Sequence, residues 1–242
     1  MNGFEYLEHR RKLLIGGIVI ICLALLAVTI RRYNVSYDSF WHLKIGLDWL
    51  QHGLSPWVDH YSFTFNGSTL NPPFIFEAIL GWLVMNFGLE PGFQIYKLSC
   101  FLLTFGLILY FLHKLQSKAV VYCLVLPLIV VLLQFRSIVR PELLSYAFIA
   151  LSVILYHRAR SGMSVTNMLP IVVLMLVWSN YHSPIFGYVV FFGYFIDRAL
   201  QQLKDHESVT AWLKWLGWGL AILAVGYLRP GFSHPVIGML FF

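Results

Sequence analysis

Long apolar runs without charged residues limit the folds open to this chain more than any other feature. The clearest run, Leu13–Ile30, has 18 residues and no Asp, Glu, Lys or Arg. Across the 242 residues, 59% are hydrophobic and 12% are charged, whereas a soluble domain has about 25% charged residues. The three cysteines, Cys22, Cys100 and Cys123, lie inside apolar runs and show no paired spacing. This pattern excludes a soluble enzyme, a nucleic-acid-binding protein and a secreted disulfide scaffold.

Apolar runs of helical length recur along the chain and predict its fold class. We expect an all-α, polytopic transmembrane helical bundle that forms one domain over residues 1–242. A long first extracytoplasmic loop, at about 31–93, is expected to carry amphipathic juxtamembrane helices. The predicted transmembrane helices are about 13–30, 95–112, 119–135, 142–156, 168–181, 185–200 and 212–228, and an incomplete apolar segment covers 235–242.

The distribution of the 17 Lys and Arg residues decides how the apolar run at 74–88 is placed. This run covers roughly 22 Å as a helix, against a hydrocarbon core of about 30 Å. With a cytoplasmic N-terminus, a crossing at 74–88 leaves seven of the 17 in the cytoplasm, whereas a helix lying flat on the outer face leaves ten. The positive-inside rule favours the flat helix. The ten are Arg10, Arg11, Lys12, Lys114, Lys118, Arg158, Arg160, Arg198, Lys204 and Lys214.

A helix is predicted at the start of the outer loop, from Tyr37 to about Gly53. On a 3.6-residue period, one side is an apolar stripe formed by Phe40, Leu43, Leu47 and Leu50. The opposite side carries a carboxylate, an imidazole and an indole, those of Asp38, His42 and Trp49. A carboxylate can accept the proton of an attacking hydroxyl, and an indole can stack against a sugar ring. The alternative is that Asp38 only caps the helix and Trp49 belongs to an interfacial aromatic belt.

Further polar candidates follow in the same loop, namely Asp59, His60, Asn71 and Glu77. Asp59 and Glu77 are oxygen ligands of the kind that a divalent metal ion prefers, but their spacing matches no standard metal motif. Asp59 and His60 are equally well explained as solvated loop residues. Glu77 lies in an apolar helix, where an ionisable side chain is costly unless it faces a cavity or a partner.

Three arginines fall in outer turns of this topology, at Arg136, Arg140 and Arg229. A guanidinium binds phosphate through two parallel hydrogen bonds, which makes arginine well suited to an anionic ligand. Snorkelling to lipid headgroups is the alternative for each of them. It accounts for one such residue more readily than for all three. A further outer turn contributes Asn180 and His182.

The loop motifs resemble those of a known family. The segment Tyr37-Asp38-Ser39-Phe40-Trp41-His42-Leu43-Lys44-Ile45-Gly46, followed by Leu50–Gly53 and Asp59–Thr64, is similar to a bacterial branch of the GT-C superfamily of polytopic membrane glycosyltransferases. Relatives in that superfamily include protein mannosyltransferases and the lipid A aminoarabinose transferase. Weaker counterparts of the branch's internal motifs lie at Arg140–Ser145, Trp178–His182 and Leu228–Gly231. The resemblance extends from about residue 10 to the end.

The resemblance implies a hexosyl- or pentosyltransferase that takes its sugar from a polyprenyl-phosphate carrier on the extracytoplasmic face of the cytoplasmic (inner) membrane. Asp38 would be the catalytic base, with His42 orienting the acceptor hydroxyl or the donor. The donor phosphate would be bound by Arg136, Arg140 and Arg229. Sugar or loop contacts would come from Trp41, Trp49, Asp59, His60, Asn71, Glu77, Asn180 and His182. Asp59 and Glu77 are also the candidates for a divalent metal ion, if one is used.

Two further interpretations stay open. The first is a catalytically inactive or partial GT-C-like membrane subunit that binds a lipid-phosphate carrier. Family members are usually longer, so the resemblance also implies that a continuation or a partner chain supplies further helices. The second is a small transporter, which is less favoured because the sequence shows no internal repeat and no matching pair of broken helices.

Overall fold

A computed structural model describes residues 3–31, 36–70, 72–160, 162–205, 208–226 and 228. Within these ranges every regular element is a helix, which confirms the all-α class, and the one isolated β-bridge joins Val58 to Thr69. The helices are α1 Gly3–Arg31, α2 Tyr37–His52, α3 Phe74–Phe87, α4 Leu89–Lys114, α5 Ala119–Phe135, α6 Glu142–Ala159, α7 Val165–Tyr181, α8 Ile185–Lys204 and α9 Val209–Val225.

Most helices follow the predicted segments. Helix α2 covers almost the range predicted from its periodicity, and each of the others overlaps an apolar run, but α1 begins at Gly3 rather than at about 13 and α4 begins at Leu89 rather than at about 95. Gly88 separates α3 from α4 with a φ of 86°, a conformation that costs glycine little. Ser208 caps α9, because its hydroxyl oxygen accepts a hydrogen bond from the backbone N–H of Ala211.

Among the residues that the structure describes, two helices are long and apolar enough to cross a membrane, Tyr6–Arg31 in α1 and Leu89–Lys114 in α4. They indicate membrane association by their length and composition. Shorter apolar helices occupy Phe74–Phe87, Ala119–Phe135, Val165–Tyr181 and Val209–Val225. The 14 residues of α3 extend over about 21 Å. The multi-pass arrangement stays a prediction.

The chain divides into two compact units. The first comprises Met1–Phe40 and Leu83–Ala147, and in it α1, α4 and α5 pack against one another. Its buried core includes Leu26, Phe101 and Leu126. In the same unit, the turn between α5 and α6 contacts the start of α2, since the buried Ser39 hydroxyl donates to the Val139 carbonyl oxygen at 2.6 Å.

The second unit comprises Trp41–Trp82 and Phe148–Phe242. Here α9 packs against α7 and α8 around a core that consists of Tyr156, Ala159, Met168, Ile171, Met175, Trp178, Tyr188, Phe191 and Ile222.

The same unit contains a close crossing of α2 and α3. A Cβ added to Gly46 would overlap the backbone carbonyl oxygen of Glu77, and one added to Gly81 would lie 2.9 Å from the carbonyl carbon of Gly46. These two glycines therefore let the helix backbones touch, as small residues do in tightly packed helix pairs.

The buried side of α2 differs from the apolar stripe that its periodicity suggests. Phe40 and Leu50 are 45% and 41% exposed. Leu43 of the stripe is buried, but so are Ile45 and Asp48, which lie outside it. Within the second unit, the approach of Gly46 to α3 determines which side is covered, so backbone proximity outweighs side-chain hydrophobicity along this helix.

Candidate functional site

Asp38 and Arg140 form an ion pair within the first unit. The Nη2 atom of Arg140 donates to Oδ2 of Asp38 at 2.5 Å, across 102 positions of sequence. Both side chains stay accessible, with 60% of Asp38 and 38% of Arg140 exposed. The structure thus joins the acid of the first predicted outer loop to the arginine of the Arg140-Pro141-Glu142 motif.

Other contacts hold Arg140 independently of Asp38. Its Nε donates to the Ser36 hydroxyl at 3.3 Å, and its backbone carbonyl oxygen accepts from the Tyr96 hydroxyl at 3.2 Å. The Ser36 hydroxyl also lies 3.2 Å from that of Ser39. These contacts therefore hold Arg140 in place even without its contact to the Asp38 carboxylate.

Part of this pair is free to bind a ligand. Arg140 Nη1 makes no hydrogen bond or ion pair with any described residue. Asp38 lies in the first turn of α2, and within the described residues the contact of its carboxylate is with Arg140 rather than with a backbone N–H of that turn. An exposed guanidinium with unused N–H groups can donate hydrogen bonds to two oxygens of a phosphate.

His42 and Glu77 form a different kind of pair within the second unit. Nδ1 of His42 lies 2.8 Å from Oε1 of Glu77. The Glu77 side chain is 1% exposed and that of His42 is 18% exposed. The His42 ring also meets the ring of Phe76 edge to face, with the centroids 5.3 Å apart. When neutral His42 donates from Nδ1 to this carboxylate, Nε2 is left as the accepting ring atom.

The loop that follows α2 is held by two carboxylates. Asp48 Oδ1 accepts from the Lys44 ammonium at 2.7 Å and its Oδ2 accepts from the Tyr61 hydroxyl at 2.8 Å. Asp59 Oδ1 accepts from the backbone N–H groups of Tyr61 and Ser62, each at 2.8 Å. These bonds fix the loop both to α2 and within itself.

The hydrogen bonds also shift how these groups ionise. Burial raises the pKa of Asp48, but the bonds from Lys44 and Tyr61 outweigh it and hold that pKa below its usual value. The hydroxyl and N–H of Ser62, together with the N–H of Tyr61, lower the pKa of Asp59. Burial, followed by the bond to Asp48, raises the pKa of the Tyr61 phenol well above its usual value.

The other aromatic and basic candidates differ in their exposure and in the residues that they contact. Trp41 is 41% exposed and meets the Tyr61 ring edge to face at 5.1 Å. The Trp49 ring lies 6.2 Å from that of Trp57. His60 is exposed. Arg136 is exposed at the end of α5, with no ion pair to a residue of the described ranges.

Two candidates at the end of α7 donate hydrogen bonds to backbone carbonyl oxygens. Asn180 is buried, and its Nδ2 donates to the carbonyl oxygens of Leu176 and Leu228 at 2.8 and 2.9 Å. The N–H of His182 closes the end of α7 on the Trp178 carbonyl oxygen. The remaining candidates, Asn71, Arg229 and the apolar segment 235–242, lie outside the described residues.

The described residues do not provide a set of side chains suited to a divalent metal ion. No group of three or more His, Cys, Asp or Glu side chains able to hold one occurs in the part of the chain that the structure describes. The carboxylates of Asp59 and Glu77 each accept hydrogen bonds from protein groups. The described residues therefore do not fit a metal at this pair, and no step below is assigned to one.

Sequence reasoning missed the partners that position these residues. Nothing in the local spacing links Asp38 to Arg140, or His42 to Glu77. A signal was present for the helix crossing, because Gly46 and Gly81 interrupt helical patterns and such glycines usually have a packing reason. Asp48 also stands four residues after Lys44, a helical ion-pair spacing. No known protein family, curated protein or solved structure was found to match the chain.

Proposed function

We propose that this chain is a multi-pass membrane glycosyltransferase of the GT-C type. It moves a sugar from a polyprenyl-phosphate carrier to an acceptor hydroxyl on the extracytoplasmic face of the cytoplasmic membrane. The observation that carries this proposal is the Asp38–Arg140 pair, in which a carboxylate contacts a guanidinium, a group suited to phosphate, at an accessible position. The two apolar helices that suit a membrane support the setting.

In this reaction Asp38 accepts the proton of the acceptor hydroxyl. The oxygen of that hydroxyl forms a bond to the anomeric carbon of the sugar, and the bond from that carbon to the carrier phosphate breaks, so the electron pair leaves on the phosphate. Arg140 stabilises the charge that develops there, as fixed cationic donors do in transfer reactions. Arg136 and Arg229 are assigned the same phosphate by resemblance. Attack opposite the leaving group inverts the anomeric centre.

His42 is assigned an orienting role. The contact of its Nδ1 with the buried Glu77 fixes the ring, and for the neutral imidazole it leaves Nε2 to accept a bond from a sugar or acceptor hydroxyl. Glu77 is then a positioning residue that acts through His42.

The function is tested by donor consumption in proteoliposomes that contain the purified chain and a panel of undecaprenyl-phosphate hexoses and pentoses, with envelope lipid and polysaccharide as acceptors. We expect one donor to be consumed, and Asp38→Asn to abolish its consumption. The matched control is Asp197→Asn, because Asp197 forms a comparably exposed ion pair with Arg160 at 3.0 Å. Full consumption of the donor by Asp38→Asn would remove Asp38 as the base.

The membrane topology has its own test. Single cysteines at Gln116 and Asn86, in a chain without Cys22, Cys100 and Cys123, are labelled with an impermeant reagent added from one side. The flat α3 helix predicts that these two positions label from opposite sides. Labelling of both from the same side would contradict it.

A second candidate function is a lipid-carrier-binding subunit without transferase activity. The engagement of Asp38 by Arg140 favours it, because Oδ2 of this carboxylate accepts a hydrogen bond from a protein group. Binding of undecaprenyl phosphate without turnover of any donor would identify this case.

A further inference from the structure

We propose that Asp38 is a built-in occupant of the carrier-phosphate site, and that binding of the donor phosphate to Arg140 releases Asp38 for its role as base. This inference rests on the proposed function and deepens it. Under this inference, binding of the donor makes the Asp38 carboxylate available as the base. Three features of the Asp38–Arg140 pair support it. They are the contacts that hold Arg140 in place, the exposure of both side chains, and the competition between phosphate and carboxylate for one guanidinium.

The first feature is that Arg140 does not depend on Asp38 for its position. Ser36 binds its Nε, and Tyr96 binds its backbone carbonyl oxygen. Loss of the Asp38 contact therefore leaves the guanidinium in place. Among the described residues, Nη1 has no partner and Nη2 is bound only to Asp38. A phosphate that binds both Nη atoms therefore competes with this carboxylate at Nη2.

The second feature is the exposure of both side chains, 60% for Asp38 and 38% for Arg140. Water replaces each partner readily at such exposure, and exposed ion pairs contribute little net stability. The contact can therefore exchange at small cost. A buried pair such as His42–Glu77 lacks this property, because separation leaves a charge without water.

The third feature is competition for one cation. A phosphate presents more negative charge than a carboxylate, and the guanidinium fork matches two of its oxygens. The carrier phosphate thus replaces Asp38 at Nη2, and the like charges then keep the carboxylate from returning to the same nitrogen.

The consequence is an ordered reaction. Without a bound donor, Oδ2 of Asp38 accepts a hydrogen bond from Arg140, so this oxygen faces the guanidinium rather than an acceptor hydroxyl. Once the donor is bound, the same oxygen becomes available beside the phosphate that will leave. The acceptor is therefore activated only when a carrier phosphate is bound to Arg140.

The test is the affinity of undecaprenyl phosphate, without a sugar, for the full chain in nanodiscs. Asp38→Asn removes the competing charge, so we expect binding to tighten by about three- to tenfold. Asp38→Glu keeps the charge and should bind like the native chain. Asp197→Asn, which breaks the exposed pair with Arg160, should leave the affinity unchanged.

Arg140→Gln completes the test. It should weaken binding, and combining it with Asp38→Asn should give no tightening. Unchanged or weaker binding by Asp38→Asn, in a preparation whose circular dichroism matches the native chain, would overturn the proposal. Because no sugar is transferred in this assay, tightening without turnover of any donor would keep the inference for a carrier-binding subunit and remove the transferase. Turnover that Asp38→Asn abolishes, without tightening, would do the reverse.

Discussion

Two acid–base pairs in this molecule look alike in sequence terms and differ in their surroundings. Asp38–Arg140 and His42–Glu77 each join residues far apart in the chain through one short contact, at 2.5 and 2.8 Å. The first is exposed on both sides, whereas the Glu77 side chain is 1% exposed. The difference teaches that a short contact alone does not tell whether a pair supports the fold or serves a ligand. The exposure of the two side chains to water distinguishes a pair that supports the fold from one that serves a ligand.

The physical reason is desolvation. An exposed pair gives up little hydration on forming, so its net contribution is about 0–1 kcal/mol. Removing one partner of a buried pair leaves a polar group without water and costs about 3–5 kcal/mol. On this basis His42–Glu77 stabilises the second unit, and Asp38–Arg140 is available for exchange with a ligand.

The largest expected effect is that of His42→Ala. We expect the free energy of unfolding, measured by SDS titration in mixed micelles, to fall by about 3–5 kcal/mol, because the Glu77 carboxylate, which is 1% exposed, loses the imidazole that contacts it. Asp38→Ala is the matched control and should change it by about 1 kcal/mol or less. Equal losses for the two variants would mean that exposure does not separate the pairs.

The next effect concerns the helix crossing that supports the buried pair. Gly46→Ala places a Cβ against the Glu77 carbonyl oxygen, and such overpacking costs about 1–3 kcal/mol. The two backbones must separate, which also loosens the His42–Glu77 contact. Gly217→Ala is the control, since a Cβ there meets nothing within 4 Å. Both variants are compared by the same measurement of the free energy of unfolding. No loss of stability in Gly46→Ala would contradict the close crossing of α2 and α3.

The smallest effect is a pH dependence confined to the loop after α2. The pKa values of Asp48 and Asp59 are lowered from 3.8 in the folded chain. Their contribution to stability is therefore complete above about pH 3.8 and is lost as the pH falls through the lower folded values. The loop should loosen from α2 in that acidic range while the helices persist.

This loosening is followed by the backbone amide chemical shifts of Tyr61 and Ser62, whose N–H groups donate to Asp59. As the pH falls from neutral to well below 3.8, we expect both to move in the native chain and to stay constant in Asp59→Asn. Shifts that titrate equally in the variant would assign the change to another group.

The helices were predictable because their signal is local. Apolar runs define α4 to α9, and the 3.6-residue period defines α2 almost to its ends. The partners of Asp38 and His42 were not predictable, because a pairing across 102 positions, or from His42 to Glu77, depends on packing that no local spacing contains. The covered side of α2 was also missed, since the small size of Gly46 mattered more there than the hydrophobicity of Phe40 and Leu50.

The central claim, that Asp38–Arg140 serves a ligand rather than the fold, is tested most directly by a double-mutant cycle on these two residues. The native chain, Asp38→Asn, Arg140→Gln and the double variant are measured for unfolding in mixed micelles and for affinity toward undecaprenyl phosphate. The account predicts a coupling of about 1 kcal/mol or less in unfolding, together with single variants that change affinity in opposite directions. A coupling of about 3 kcal/mol or more in unfolding, with carrier affinity unaffected by either substitution, would contradict it.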